Sequence, residues 1–207
     1  MSSDRRSDAP SPPPDELAAL VRTRGAPLLE GLARHLPGAE EHGEATASYA
    51  FVAAAELGFP RDRCELYREA TRLHEIGLVY VPAEVAAKPA KARTPEETAA
   101  FEGHYEAGYR LARGAGIPDR VCGWILRQRE RFDGRGPEGL AGEQIPVESR
   151  LMRAACACQT ALAADASGGE RSPLVRARGA LLAAAGKELD PQVAEALTSI
   201  LSRARQG

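Results

Sequence analysis

Apolar residues along this chain recur at spacings of three and four, the signature of helices that bury one face. Leu17, Leu20, Val21, Leu28, Leu29 and Leu32 mark a first helix with Asp15 as its N-cap candidate, interrupted or kinked at Gly25 and Pro27 and stopped by Pro37 and Gly38. Tyr49, Val52, Ala53 and Leu57 predict a second helix over 41–57, closed by Gly58 and Pro60. Leu66, Ala70, Leu73 and Ile76 predict a third over 61–77, carrying His74 and Glu75 in its last turn, and 79–82 reads as an extended or turn segment. Thr94, Pro95, Glu96 and Glu97 form a helix start: an N-cap, a proline at the first position and acidic residues at the positive end of the dipole. That helix is expected to carry His104. Further helices are predicted over 118–131, 147–164, 172–185 and 190–203, with a Gly- and Pro-rich loop over 133–146. No segment alternates with period two over strand length, so the fold class is all-α, a single helical domain over 15–207.

Composition narrows the function classes. Residues 1–14 are rich in Ser, Pro, Asp and Arg and have little to bury, which predicts a flexible tail. A net charge of −2 and a pI near 6.1 provide no global basic field, excluding a generic nucleic-acid or anionic-membrane surface and leaving any anion site local. Four cysteines in 207 residues are too few for a disulfide scaffold, and with no secretory signal pattern or membrane-length apolar run they favour a cytoplasmic protein.

The chemistry-bearing residues fall in an ordered series. His42 opens the second helix. His74, Glu75, Ile76, Gly77 and Leu78 read HEIGL; Lys88 and Pro89 follow, then His104 in HYEAG. Glu130 to Pro137 reads ERFDGRGP and is trailed by Ile145 and Pro146, and Gly186 to Pro191 reads GKELDP. In this order the segments resemble the HD-GYP domain of the HD metal-dependent phosphohydrolases, with the match running from His42 to Leu201. The resemblance implies an HD-type helical domain in which metal ions between helices activate water against a cyclic dinucleotide such as cyclic di-GMP. It also implies contacts between the Gly-rich loop and GGDEF-type signalling domains.

Several positions depart from the family pattern. Gln128 and Arg129 stand where it has paired histidines, Cys156 where it has a ligating aspartate, and Leu78 where it has a phosphate-contacting lysine; the tyrosine before Pro137 is missing. Arginine has no lone pair to offer a metal. The leading expectation is therefore an inactive HD-GYP-like signalling module with no catalytic residue and no cofactor, acting through a protein partner or a bound cyclic dinucleotide. The alternative is a metal-dependent phosphodiesterase or phosphohydrolase with a reduced site of His42, His74, Glu75, His104 and Cys156 around one zinc, iron or manganese ion. Arg129 and Lys88 are the phosphate-binding candidates, against a reading of both as solvated or ion-paired side chains. A homodimer through the Ala-rich segments 154–164 or 180–185 is a third expectation.

Overall fold

A computed structural model describes residues 12–164 and 172–204 of the chain. Most of the expected tail lies outside the described residues, and Pro14 already belongs to the first helix. Helix α1 runs Pro14–His35 without a break through Gly25 and Pro27, correcting the predicted interruption. A Cβ added at Gly25 would lie 2.8 Å from Leu73 Cδ2, so the Leu73 side chain would have to shift. The glycine therefore lets α1 close onto the following helices. Pro27 removes one backbone donor from a helix otherwise long enough to tolerate the loss.

Helix α2 (Ala39–Glu56) buries Ala47, Ala50, Ala53 and Ala54 completely, a small-residue face that packs against α3 (Arg61–Arg72) and α8 (Val147–Ala163). The predicted third helix stops five residues early, at Arg72. Leu73 to Glu75 form a turn, and Ile76–Tyr80 continue as a 3-10 helix. His74 and Glu75 are thus on a turn, not on a helix. Of the segment expected as extended or turn over 79–82, Val79 and Tyr80 belong to the 3-10 helix and Val81 is extended.

After the short helix α4 (Ala83–Ala86), Thr94 caps α5 (Pro95–Glu102). Its hydroxyl accepts from the Glu97 amide, while the Glu97 carboxylate accepts from the Thr94 amide. The chain breaks at Gly103, so His104 opens a separate helix, α6 (His104–Gly114), correcting the single helix expected there. Helix α7 (Asp119–Arg127) is shorter than predicted, and Gln128 to Arg131 lead out of it into the loop. Helices α9 (Pro173–Ala184) and α10 (Pro191–Arg203) start where expected, with the side chains of Ser172 and Asp190 accepting backbone N–H bonds as caps.

One apolar core joins these helices through Leu17 and Val21 of α1, Leu66 and Tyr67 of α3, Trp124 and Ile125 of α7, and Leu151 of α8, continuing into Leu181, Val193 and Leu197. A smaller cluster of Leu32, Ala39, Leu78, Val81 and Val85 lies under the 3-10 segment. Among the described residues no strand forms; the pairing outside helices is two isolated bridges, Asp133 with Ala141 and Ala185 with Leu189. The fold is all-α, as the periodicity requires, and no helix of the described residues is long and apolar enough to cross a membrane.

Candidate metal centre

The turn after α3 is held in place by a backbone contact that only glycine allows. A Cβ on Gly77 would lie 1.9 Å from the His104 carbonyl oxygen and 2.6 Å from the Gly108 amide nitrogen. The 3-10 segment therefore presses backbone to backbone against α6. His74 is fixed from two further sides: its Nδ1 lies 2.9 Å from the Thr71 carbonyl, and its own carbonyl accepts from Gln128 Nε2 at 2.7 Å. With Nδ1–H donated to a carbonyl, Nε2 keeps its lone pair, the state a metal-ligating imidazole needs.

Around that nitrogen the structure gathers donors from three separate stretches of chain. His42 from α2, His74 and Glu75 from the turn, and Cys156 from α8 each place one ligand atom within 4.8 Å of the others. The two imidazoles stack with centroids 5.5 Å apart. The Glu75 carboxylate lies between them, 3.6 Å from His42 Nε2 and 3.8 Å from His74 Nε2. Both Nε2 atoms are buried and have no hydrogen-bond partner. Buried polar atoms are nearly always satisfied, so two unpartnered ring nitrogens beside one carboxylate are an observation that calls for a cation. Two imidazoles, a carboxylate and a thiol fit one divalent ion of the zinc type.

Burial pushes the His74 pKa down, with Glu75 opposing and His42 adding to the effect, so the imidazole is neutral and free to ligate. Burial, reinforced by Glu75, pushes the Cys156 thiol up to about 12, with the neighbouring Thr160 side chain and Arg153 opposing the shift. At neutral pH that thiol keeps its proton unless a cation sits among the donors, because coordination deprotonates a ligating thiol.

The remaining sequence candidates are placed otherwise. His104 is buried beside Phe101 and Tyr105, with Nδ1 against the Phe101 carbonyl, and is not part of the four-donor group. Arg129 pairs with Glu102 at 3.0 Å and lies over the Tyr105 ring, and Lys88 pairs with Glu97. Gln128 turns inward to brace His74. Leu78 belongs to the smaller apolar cluster, and His35 contacts the Val81 carbonyl, a packing role. Sequence reasoning missed Thr71, whose carbonyl sets the His74 tautomer; a backbone acceptor carries no sequence signal.

His104 makes the domain acid-sensitive. Burial pushes its pKa down from 6.5 to about 4. Between these values the unfolded chain binds a proton that the folded chain refuses, so this contribution to stability is complete above 6.5 and lost progressively toward 4. The loss approaches roughly 3 kcal/mol at the acid end. Urea midpoints of the metal-free protein should therefore fall between pH 7 and about pH 4.5, and fall less in His104→Gln.

Glu130 organises the loop that follows α7. Its buried carboxylate accepts from the amides of Glu138 at 2.7 Å and Leu140 at 3.1 Å. The loop is also tied to the α9–α10 turn, where the Asp133 amide donates to the Lys187 carbonyl at 2.8 Å and Arg131 pairs with Asp133 and Glu188. Arg131 holds the Asp133 carboxyl down at about 2.

Residues 28–193 match the HD domain family. The chain belongs to that family. Among curated proteins it is 32% identical over 157 residues to the cyclic di-GMP phosphodiesterase response regulator RpfG of Xanthomonas campestris, a match covering 74% of this chain and 41% of that protein. It is 30% identical over 166 residues to the 3'3'-cGAMP-specific phosphodiesterase 2 of Vibrio cholerae, covering 75% of this chain and 30% of the relative. The chain thus spans less than half the length of these relatives. Among solved structures, the HDG"Y"P protein Bd1817 of Bdellovibrio bacteriovorus superposes with a TM-score of 0.65 at 20% identity, covering 91% of this chain and 62% of that one. The HD domain of the Listeria monocytogenes phosphodiesterase PgpH, in complex with cyclic-di-AMP, gives 0.62 at 16% identity, covering 87% and 98%. These two likenesses establish the HD fold.

Proposed function

We propose that this chain is a one-metal phosphodiesterase whose substrate is a cyclic dinucleotide. The observation that carries the reading is the four-donor group with its two orphaned imidazole nitrogens, and the activities of the curated relatives point the same way. His42, His74, Glu75 and Cys156 would hold the ion. A divalent ion so held supplies Lewis acidity toward a phosphoryl oxygen and lowers the pKa of water. The protein's own part is preorganisation. Thr71 fixes the tautomer of His74, and Gln128 fixes its backbone. Three of the four donors, His42, Glu75 and Cys156, line a cavity of about 510 Å³ that is also walled by Arg93, Phe101 and Tyr105, a size suited to part of a nucleotide.

A second reading, nucleotide binding without turnover, is favoured by one observation: Gln128 and Arg129 are engaged with His74 and Glu102, so neither contributes to a second metal position. Stripping the protein, reloading it separately with zinc, manganese and iron, and assaying cyclic di-GMP cleavage separates the two. Hydrolysis that requires one of these metals supports the phosphodiesterase. Saturable binding of cyclic di-GMP with no cleavage under any metal overturns it in favour of the binding module.

A further inference from the structure

Beside the donor cavity lies a second cleft of about 540 Å³, and the two share the side chains of Arg93, Phe101 and Tyr105. Five arginines line this cleft: Arg93, Arg129, Arg131, Arg135 and Arg153. Three carboxylates answer them. Glu102 pairs with Arg129, Asp133 with Arg131, and Glu188 with both Arg131 and Arg153. That leaves Arg93 and Arg135 as the two that form no ion pair among the described residues, on a chain whose overall charge is −2.

The two differ in kind. Arg93 is rigid: its Nε and Nη2 donate to the Val85 and Ala86 carbonyls, and its guanidinium lies 3.5 Å from the Phe101 ring centroid. No carboxylate pairs with it among the described residues. Arg135 is exposed at the loop side of the cleft, and among the described residues its guanidinium has no ion pair, although its backbone amide donates to Asp133. A fixed cation on the wall shared with the donor cavity and a free, planar, always-charged fork on the other side form a receptor for a phosphate. Tyr105 and Phe101 stand on the wall that the two cavities share.

We propose that this arginine cleft is a second anion subsite, which takes the phosphate of a cyclic dinucleotide that is not delivered to the metal donors. The proposal rests on the phosphodiesterase reading for the identity of the ligand, but the subsite itself needs no metal. It makes the chain selective for a ligand with two phosphates over one with a single phosphate.

The test uses the full chain stripped of metal, titrated calorimetrically with cyclic di-GMP and with GMP. Wild type should bind cyclic di-GMP saturably and at least about tenfold more tightly than GMP, with affinity falling as salt is raised. Arg135→Ala, at an exposed position, should keep the wild-type melting temperature and weaken cyclic di-GMP binding about tenfold. Arg135→Lys, which keeps the charge and loses the fork, should recover part of it. The subsite is overturned if Arg135→Ala binds cyclic di-GMP as wild type does, if GMP binds equally well, or if the metal-free protein shows no saturable binding. Failure of hydrolysis with every metal, while these binding differences persist, would sink the phosphodiesterase and leave the subsite standing.

Discussion

Replacing His74 by alanine is expected to remove metal from the protein and to abolish any metal-dependent cleavage. His74 supplies the most buried of the four donors, and its Nε2 has no other partner to satisfy. Without it, three donors remain, one of them a thiol whose deprotonation depends on the ion. Metal content measured by elemental analysis should drop from about one equivalent to below about a tenth, and cleavage of cyclic di-GMP by at least about 100-fold. Since a truncation this deep also leaves a void, His42→Ala is the companion variant: its side chain is 28% exposed, so it should lose metal comparably while melting close to wild type. Wild-type metal content in both variants would refute the four-donor centre.

Gly77→Ala should be the most destabilising single methyl in the molecule. The added carbon would stand 1.9 Å from the His104 carbonyl oxygen and 2.6 Å from the Gly108 amide nitrogen, both backbone atoms that cannot swing aside. Relief requires the 3-10 segment to move away from α6, which exposes Ile76 and shifts the turn that bears His74 and Glu75. We expect a loss of at least about 3 kcal/mol in urea unfolding, at the upper end for overpacking, together with weakened metal binding. Gly31→Ala is the control, because a Cβ there meets nothing within 4 Å; it should be neutral or slightly stabilising in the middle of α1. Equal stability of the two variants would show that the 3-10 segment is not clamped against α6.

Local chemistry made some elements legible and hid others. The Thr94 N-cap with its following proline, and the helix starts at 172 and 190, were legible because each signal is complete within a few residues. The end of α3 was not. Leu73 and Ile76 continue the spacing of Leu66 and Ala70, yet the backbone turns after Arg72 and tightens into a 3-10 helix whose inner residues are still buried. Apolar spacing reports which side chains are inside; it is silent when the chain changes helical type without changing face. The same blindness joined α5 to α6 across Gly103.

The sequence by itself determined that the chain is helical, where several helices begin, and that His42, the HEIGL segment, the DGRG loop and the GKELDP turn follow in the order of an HD-type domain. Those properties reside in short stretches of chain, so residue order suffices to specify them. Tertiary structure alone decided which candidates share a centre: His42, His74, Glu75 and Cys156 converge, while His104 is not among the four. It also turned Gln128 inward as a brace for His74 and engaged Arg129 with Glu102 on the wall of a cleft where Arg93 and Arg135 carry the unpaired charge. Coordination and ion pairing act over a few ångströms between atoms from α2, the turn after α3, α5 and α8, and those distances exist only once the core has set the helices against one another.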